Sequence, residues 1–111
     1  MALIHLEPEQ VDILRRLILE QNRLYTCCRR HFYPILAATA GKPDHGLYEI
    51  SEESLWYAER CVMGYLTDAV HGEGCPRPEL DRVDPMAADE LFRTLNNTYE
   101  ALVSTRSAWL N

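Results

Sequence analysis

Residues 51–71 read SEESLWYAERCVMGYLTDAVH, and the fold turns on how they are taken. Ser51 offers a hydroxyl to the orphan N–H groups of a helix start, and Glu52 and Glu53 set negative charge at the positive end of the helix dipole. Beyond them Leu55, Ala58, Cys61, Val62, Tyr65, Leu66 and Ala69 recur at helical spacing, which predicts a helix running to His71 with one buried face. Trp56, Met63 and Val70 widen that face to more than half the circumference at about 100° per residue. Such an arc fits a helix lying centrally, covered by its neighbours and the loops. It also fits a helix with apolar surface to spare, and then Trp56, Tyr57 and Met63 form a protein interface, most simply between two copies of the chain. Glu59 falls inside the arc, where a carboxylate needs a partner such as an arginine of another helix, or marks the place where the face meets water.

Upstream, Glu7-Pro8-Glu9 opens another helix, since proline is tolerated at the first helical position. Leu14, Leu17, Ile18, Tyr25, Cys28 and Phe32 form its buried stripe, and Pro34 ends or kinks it, leaving Ile35–Ala40 as a short continuation. Residues 41–46, GKPDHG, are dense in turn formers, and Leu47–Ile50 suits an extended passage. Downstream, residues 72–78, GEGCPRP, stop the central helix. Asp84-Pro85 starts a last one, reaching to about Leu110 with Leu91, Phe92, Leu95, Tyr99, Leu102, Val103 and Trp109 on its apolar face. The expected fold class is all-α: one domain, a three-helix antiparallel bundle with room for a short extra helix, and dimerising through the central helix.

Charge divides the 111 residues unevenly. The net charge is −6, yet residues 1–43 hold six basic against four acidic groups, and residues 44–111 five against thirteen. Ten of the eleven basic residues are arginines, a bias of GC-rich bacterial and phage genes. Arg15, Arg16, Arg23 and Arg30 fall opposite the first helix's apolar stripe. They read either as a solvated face paired with Asp12 and Glu20, or as a strip docking an acidic partner, a phosphorylated ligand or the acidic half of a second copy. The acidic balance disfavours nucleic acid as a direct ligand. No apolar run approaches the roughly 20 residues of a membrane span, and residues 1–6 lack the pattern of a signal peptide, so the expected location is the cytoplasm. There Cys27, Cys28, Cys61 and Cys75 are expected as thiols, with Cys28 and Cys61 as small core residues.

Cys27-x3-His31 and His71-x3-Cys75 have zinc-compatible spacing, but antiparallel helices hold the two pairs apart, so neither a metal nor a cofactor is expected. Cys75, beside Pro76 in a glycine-rich stretch, has no identifiable base to activate it. No phosphate-binding loop, dinucleotide fingerprint, zinc-protease motif or nucleophile elbow occurs. The acid pairs Glu52-Glu53 and Asp89-Glu90 sit where helix starts favour them. These residues point to a non-enzymatic protein–protein interaction module, an inhibitor, adaptor or regulator. Its expected interface is Trp56, Tyr57, Glu59 and Met63, with the four arginines as a docking strip. Two other classes remain open: a ligand-binding or enzymatic domain with a pocket near Glu59, Arg106, Tyr25, Tyr65 and Tyr99, and a nucleic-acid mimic or accessory protein.

Overall fold

A computed structural model describes residues 2–24, 29–71 and 83–110; the side chains of residues 22–24, 68–71 and 106–110 lie outside the description. The element order of the described residues is β1 (Ala2–His5), α1 (Pro8–Leu24), α2 (Arg29–Ala38), β2 (Leu47–Ile50), α3 (Glu52–His71) and α4 (Pro85–Leu110), with a 3-10 turn at Asp44–Gly46 before β2. The chain is mostly helical, with four helices and one two-stranded sheet among the described residues. No helix among them is long and apolar enough to cross a membrane.

The helix starts follow their local chemistry. Ser51 Oγ accepts the Ser54 N–H at 3.1 Å and caps α3. Asp84 Oδ1 accepts the Met86 N–H at 3.1 Å, with Pro85 in the first helical position of α4. Gln10 reaches back from α1 to accept the Glu7 N–H at 2.9 Å, one arm of a capping box. α3 is the central helix, in contact with α1, α2 and α4. Its Leu55, Ala58 and Val62 are fully buried beside Leu14 and Ile18 of α1, Ile35 of α2, and Ala88, Leu91 and Leu95 of α4. Tyr65 donates its hydroxyl to the Val83 carbonyl at 3.0 Å, just ahead of α4, whereas Glu52 lies by Ala101 and Thr105. The two helices are therefore antiparallel.

One expectation is corrected here. The helix expected from Glu7 to Pro34 is two helices. In one straight helix Arg15 and Leu36 would stand about 30 Å apart, yet Arg15 Nη1 donates to the Leu36 carbonyl at 2.8 Å, so the chain doubles back between α1 and α2. Pro34 neither ends nor precedes the short helix but lies inside it. Its missing N–H leaves the Arg30 carbonyl without a helical bond, and both residues are exposed, so water can satisfy that oxygen.

The expected helical bundle agrees in outline with the structure, which adds one small sheet to it. β1 and β2 pair antiparallel, with Ala2 opposite Ile50 and Ile4 opposite Tyr48 on the inner face. These four side chains are buried, while Leu3, His5, Leu47 and Glu49 face outward. A two-stranded sheet is marginal alone; this one is held because its inner face joins the helical core, β1 against α4 and β2 against α2. The extended passage expected at Leu47–Ile50 is β2. Its partner in β1 escaped notice because Leu3, apolar yet 63% exposed, hides the alternation within four residues.

Candidate functional site

The outward side of α3 presents Glu53, Trp56, Arg60, Met63, Gly64 and Thr67, all exposed. Spacings of three and four keep them on one stripe. Trp56 and Met63 are each 37% exposed. Between them the Arg60 guanidinium sits 5.1 Å from the centre of the Trp56 ring, a cation–π contact at the surface. Gly64 stands within the helix with nothing inside 4 Å of where a Cβ would project. A mid-helix glycine costs roughly 0.5–1 kcal/mol relative to alanine, and no packing among the described residues requires it.

Beside the stripe lies an aromatic cluster joining α3 to α2. The Tyr57 ring stacks on His31, with centroids 4.1 Å apart and planes at 15°. Phe32 and Trp56 both meet Tyr57 edge-on, at 6.4 Å and 5.0 Å. His31 Nε2 accepts from Arg30 Nε at 3.3 Å and lies 3.4 Å from the Tyr57 hydroxyl. An Nε2 that accepts from Arg30 places the neutral ring's proton on Nδ1, which faces Glu53 Oε1 at 3.8 Å. Glu52, Glu53, Trp56, Tyr57 and Tyr99 of α4 border a shallow depression of about 440 Å³.

Of the expected interface residues, Trp56 and Met63 stand on the stripe and half-buried Tyr57 sits at its edge. Glu59 does not. It is only 7% exposed and is turned inward, with no hydrogen bond or ion pair among the described residues. Burial raises its carboxyl above the usual value of 4.5; Arg60 pulls it down and Glu100 pushes it up further. The rest of the wide arc is covered by the chain itself: Leu55, Ala58, Cys61 and Val62 are buried, and Tyr65 and Leu66 partly so. Ala69 and Val70 lie outside the described side chains.

The described members of the expected arginine strip, Arg15, Arg16 and Arg30, go to different partners. Arg15 is turned onto the end of α2, where its Nη1 donates to Leu36 O and to Thr39 Oγ1 at 2.9 Å. Arg16 pairs with Asp12 at 3.1 Å, and Arg30 belongs to α2. The Arg23 side chain lies outside the description. Glu20, expected on the solvated face, is buried. Of the residues expected around an interhelical pocket, Tyr99 borders the depression and Tyr65 donates to Val83, while Tyr25 and the Arg106 side chain lie outside the description. Cys61 lies in the core; Cys27, Cys28, Cys75 and the His71 side chain are outside the description. Among the described residues, no group of three or more His, Cys, Asp or Glu could hold a metal ion.

A second concavity, not foreseen from sequence, shares no bordering residue with the first. The corner between β1 and α1 and the loop between α2 and β2 enclose about 520 Å³, bordered by His5, Glu7, Asp12, Arg15, Lys42 and His45 among others. His45 and Gly46 both adopt left-handed backbone, with φ of 62° and 67°. The only sequence signal for this site was the GKPDHG turn. Comparison of the chain with protein-family models, with curated proteins and with solved structures finds no match.

Proposed function

We propose that this protein is a non-enzymatic, cytoplasmic interaction module that acts as an inhibitor, adaptor or regulator by binding another protein, and that it self-associates through the outer stripe of α3. The observation that supports this reading is the pair Trp56 and Met63, partly in water on either side of Arg60, with the bare turn of Gly64 beside them. Residues 53, 56, 60, 63 and 67 alternate spacings of three and four, the rhythm by which two helices pack side by side. In an antiparallel pair of copies, the bulk of Trp56 meets the low surface around Gly64 and Thr67, and the aliphatic stem of Arg60 covers Met63. Such a two-fold contact is self-complementary, as a homodimer requires. The depression edged by Glu52 and Glu53 beside Trp56 and Tyr99 suits a cationic side chain of a further partner.

Size-exclusion chromatography with light scattering tests the self-association. Wild-type protein is expected at twice the 12.8 kDa chain mass. Met63→Glu buries a charge at the centre of the contact and should weaken the dimer about 100-fold, leaving single chains with an unchanged helical spectrum. Trp56→Ala should do the same to a smaller degree. A wild type that runs at the single-chain mass up to its solubility limit overturns the reading.

A further inference from the structure

We infer that the hollow between the β1–α1 corner and the α2–β2 loop binds a small phosphomonoester, an apolar body with one phosphate group. No α3 residue borders this hollow, so the inference stands apart from the interface proposed above.

Its charges leave an unmet positive remainder. Of the two acids, Asp12 is held by Arg16 at 3.1 Å and Glu7 lies 3.7 Å from His5 Nε2. Among the described residues Arg15 holds the end of α2 through Nη1 alone, which leaves its Nη2 and Nε N–H groups without a partner there. Lys42, the only lysine in the chain, is exposed and makes no ion pair among the described residues. His45 adds an imidazole on the same side. A guanidinium and an ammonium bordering one hollow suit phosphate oxygens, because the guanidinium donates directed N–H bonds and the ammonium adds a point charge.

Size and backbone agree with an organic ligand. About 520 Å³ lies within the range of small-molecule sites and far exceeds a bare phosphate, and Val11, Pro43 and Tyr48 supply an apolar wall for the remainder. The loop is fixed rather than slack. Leu6 donates its N–H to the Gly46 carbonyl at 3.0 Å, and an added Cβ on Gly46 would stand 3.1 Å from Leu6 O and 3.3 Å from His5 Nε2. His45 is held at a positive φ that costs a non-glycine residue about 1 kcal/mol, the kind of stored backbone strain that gathers at ligand sites.

The single lysine allows a direct test. Reductive ¹³C-dimethylation keeps the charge and labels Lys42 and the α-amine, whose signals are followed by NMR during titration with phenyl phosphate, inorganic phosphate and phenol. Phenyl phosphate should shift the Lys42 signal saturably, with inorganic phosphate at least tenfold weaker and phenol producing no saturable shift. In Lys42→Gln, followed through the Gly46 amide, phenyl phosphate should bind about tenfold more weakly, the scale of one charge-assisted contact. A linear, unsaturable response, an unchanged affinity in Lys42→Gln, or equal saturation by phenol overturns the proposal. Equal affinity for inorganic phosphate overturns the apolar half of it.

Discussion

The two outward regions of this molecule are built in opposite ways. The α3 stripe is convex and comes from one helix, so its members are set by spacing along fifteen residues, from Glu53 to Thr67. The hollow is concave and comes from β1, α1, the end of α2 and the loop before β2, so it exists only when segments 40 residues apart meet. Removing a side chain from the stripe leaves the monomer's framework intact. Removing the Arg15 side chain from the hollow strikes a joint that holds the framework together.

Three substitutions sharpen or break that contrast. Gly46→Ala should have the largest effect. An alanine there must adopt φ near 67° and meet the Leu6 carbonyl at 3.1 Å, a loss of roughly 2–3 kcal/mol in urea unfolding. Arg15→Ala should follow, at about 2 kcal/mol, because it strips two hydrogen bonds from a charged donor and uncaps the carbonyl end of α2. If both variants unfold at the wild-type urea midpoint while Met63→Glu unfolds the single chain, the contrast is inverted.

Glu59→Gln should have the smallest effect and the opposite sign. Burial holds the carboxyl above its ordinary 4.5, so the folded chain binds that proton more tightly than the unfolded chain does. The ionised group therefore imposes no penalty below the ordinary value, and the penalty grows until the pH passes the raised one. Glu59→Gln should then gain roughly 1 kcal/mol at neutral pH, and the gain should fade as the pH falls through the carboxylate range. A gain that persists in acid would assign the effect to packing instead of ionisation.

Most of the helical architecture could be read from the chain because its signals are local. Ser51, Pro8 and Pro85 mark helix starts, and the spacing of Leu55, Ala58 and Val62 marks a buried face. The stripe at Trp56 and Met63 was legible for the same reason. What was hidden depends on reversal. A periodic stripe running from Leu14 to Phe32 looks alike in one long helix and in two that fold back, because both halves turn the same side to the core. Only a contact such as Arg15 with Leu36 separates the cases. That reversal also took Arg15 out of the expected strip and made it a wall of the hollow. Glu59 stood out in the sequence as a carboxylate on an apolar arc, but its angular position could not say that α4 would bring Glu100 near it, with only its own neighbour Arg60 to oppose the cost of burial.

The hydrogen bonds from Arg15 to Leu36 and Thr39 also bear on the order in which the chain folds. β1 and β2 pair residues 42–48 apart in sequence, and closing so long a flexible loop costs about 3 kcal/mol in chain entropy beyond a constant. Once α1 and α2 have met, Thr39 is already beside Arg15, and the stretch still to be closed before Leu47 is roughly eight residues, at about 2 kcal/mol. An arginine that ties α1 to the end of α2 thereby turns a distant strand pairing into a near one, which favours an order in which the helical hairpin precedes the sheet.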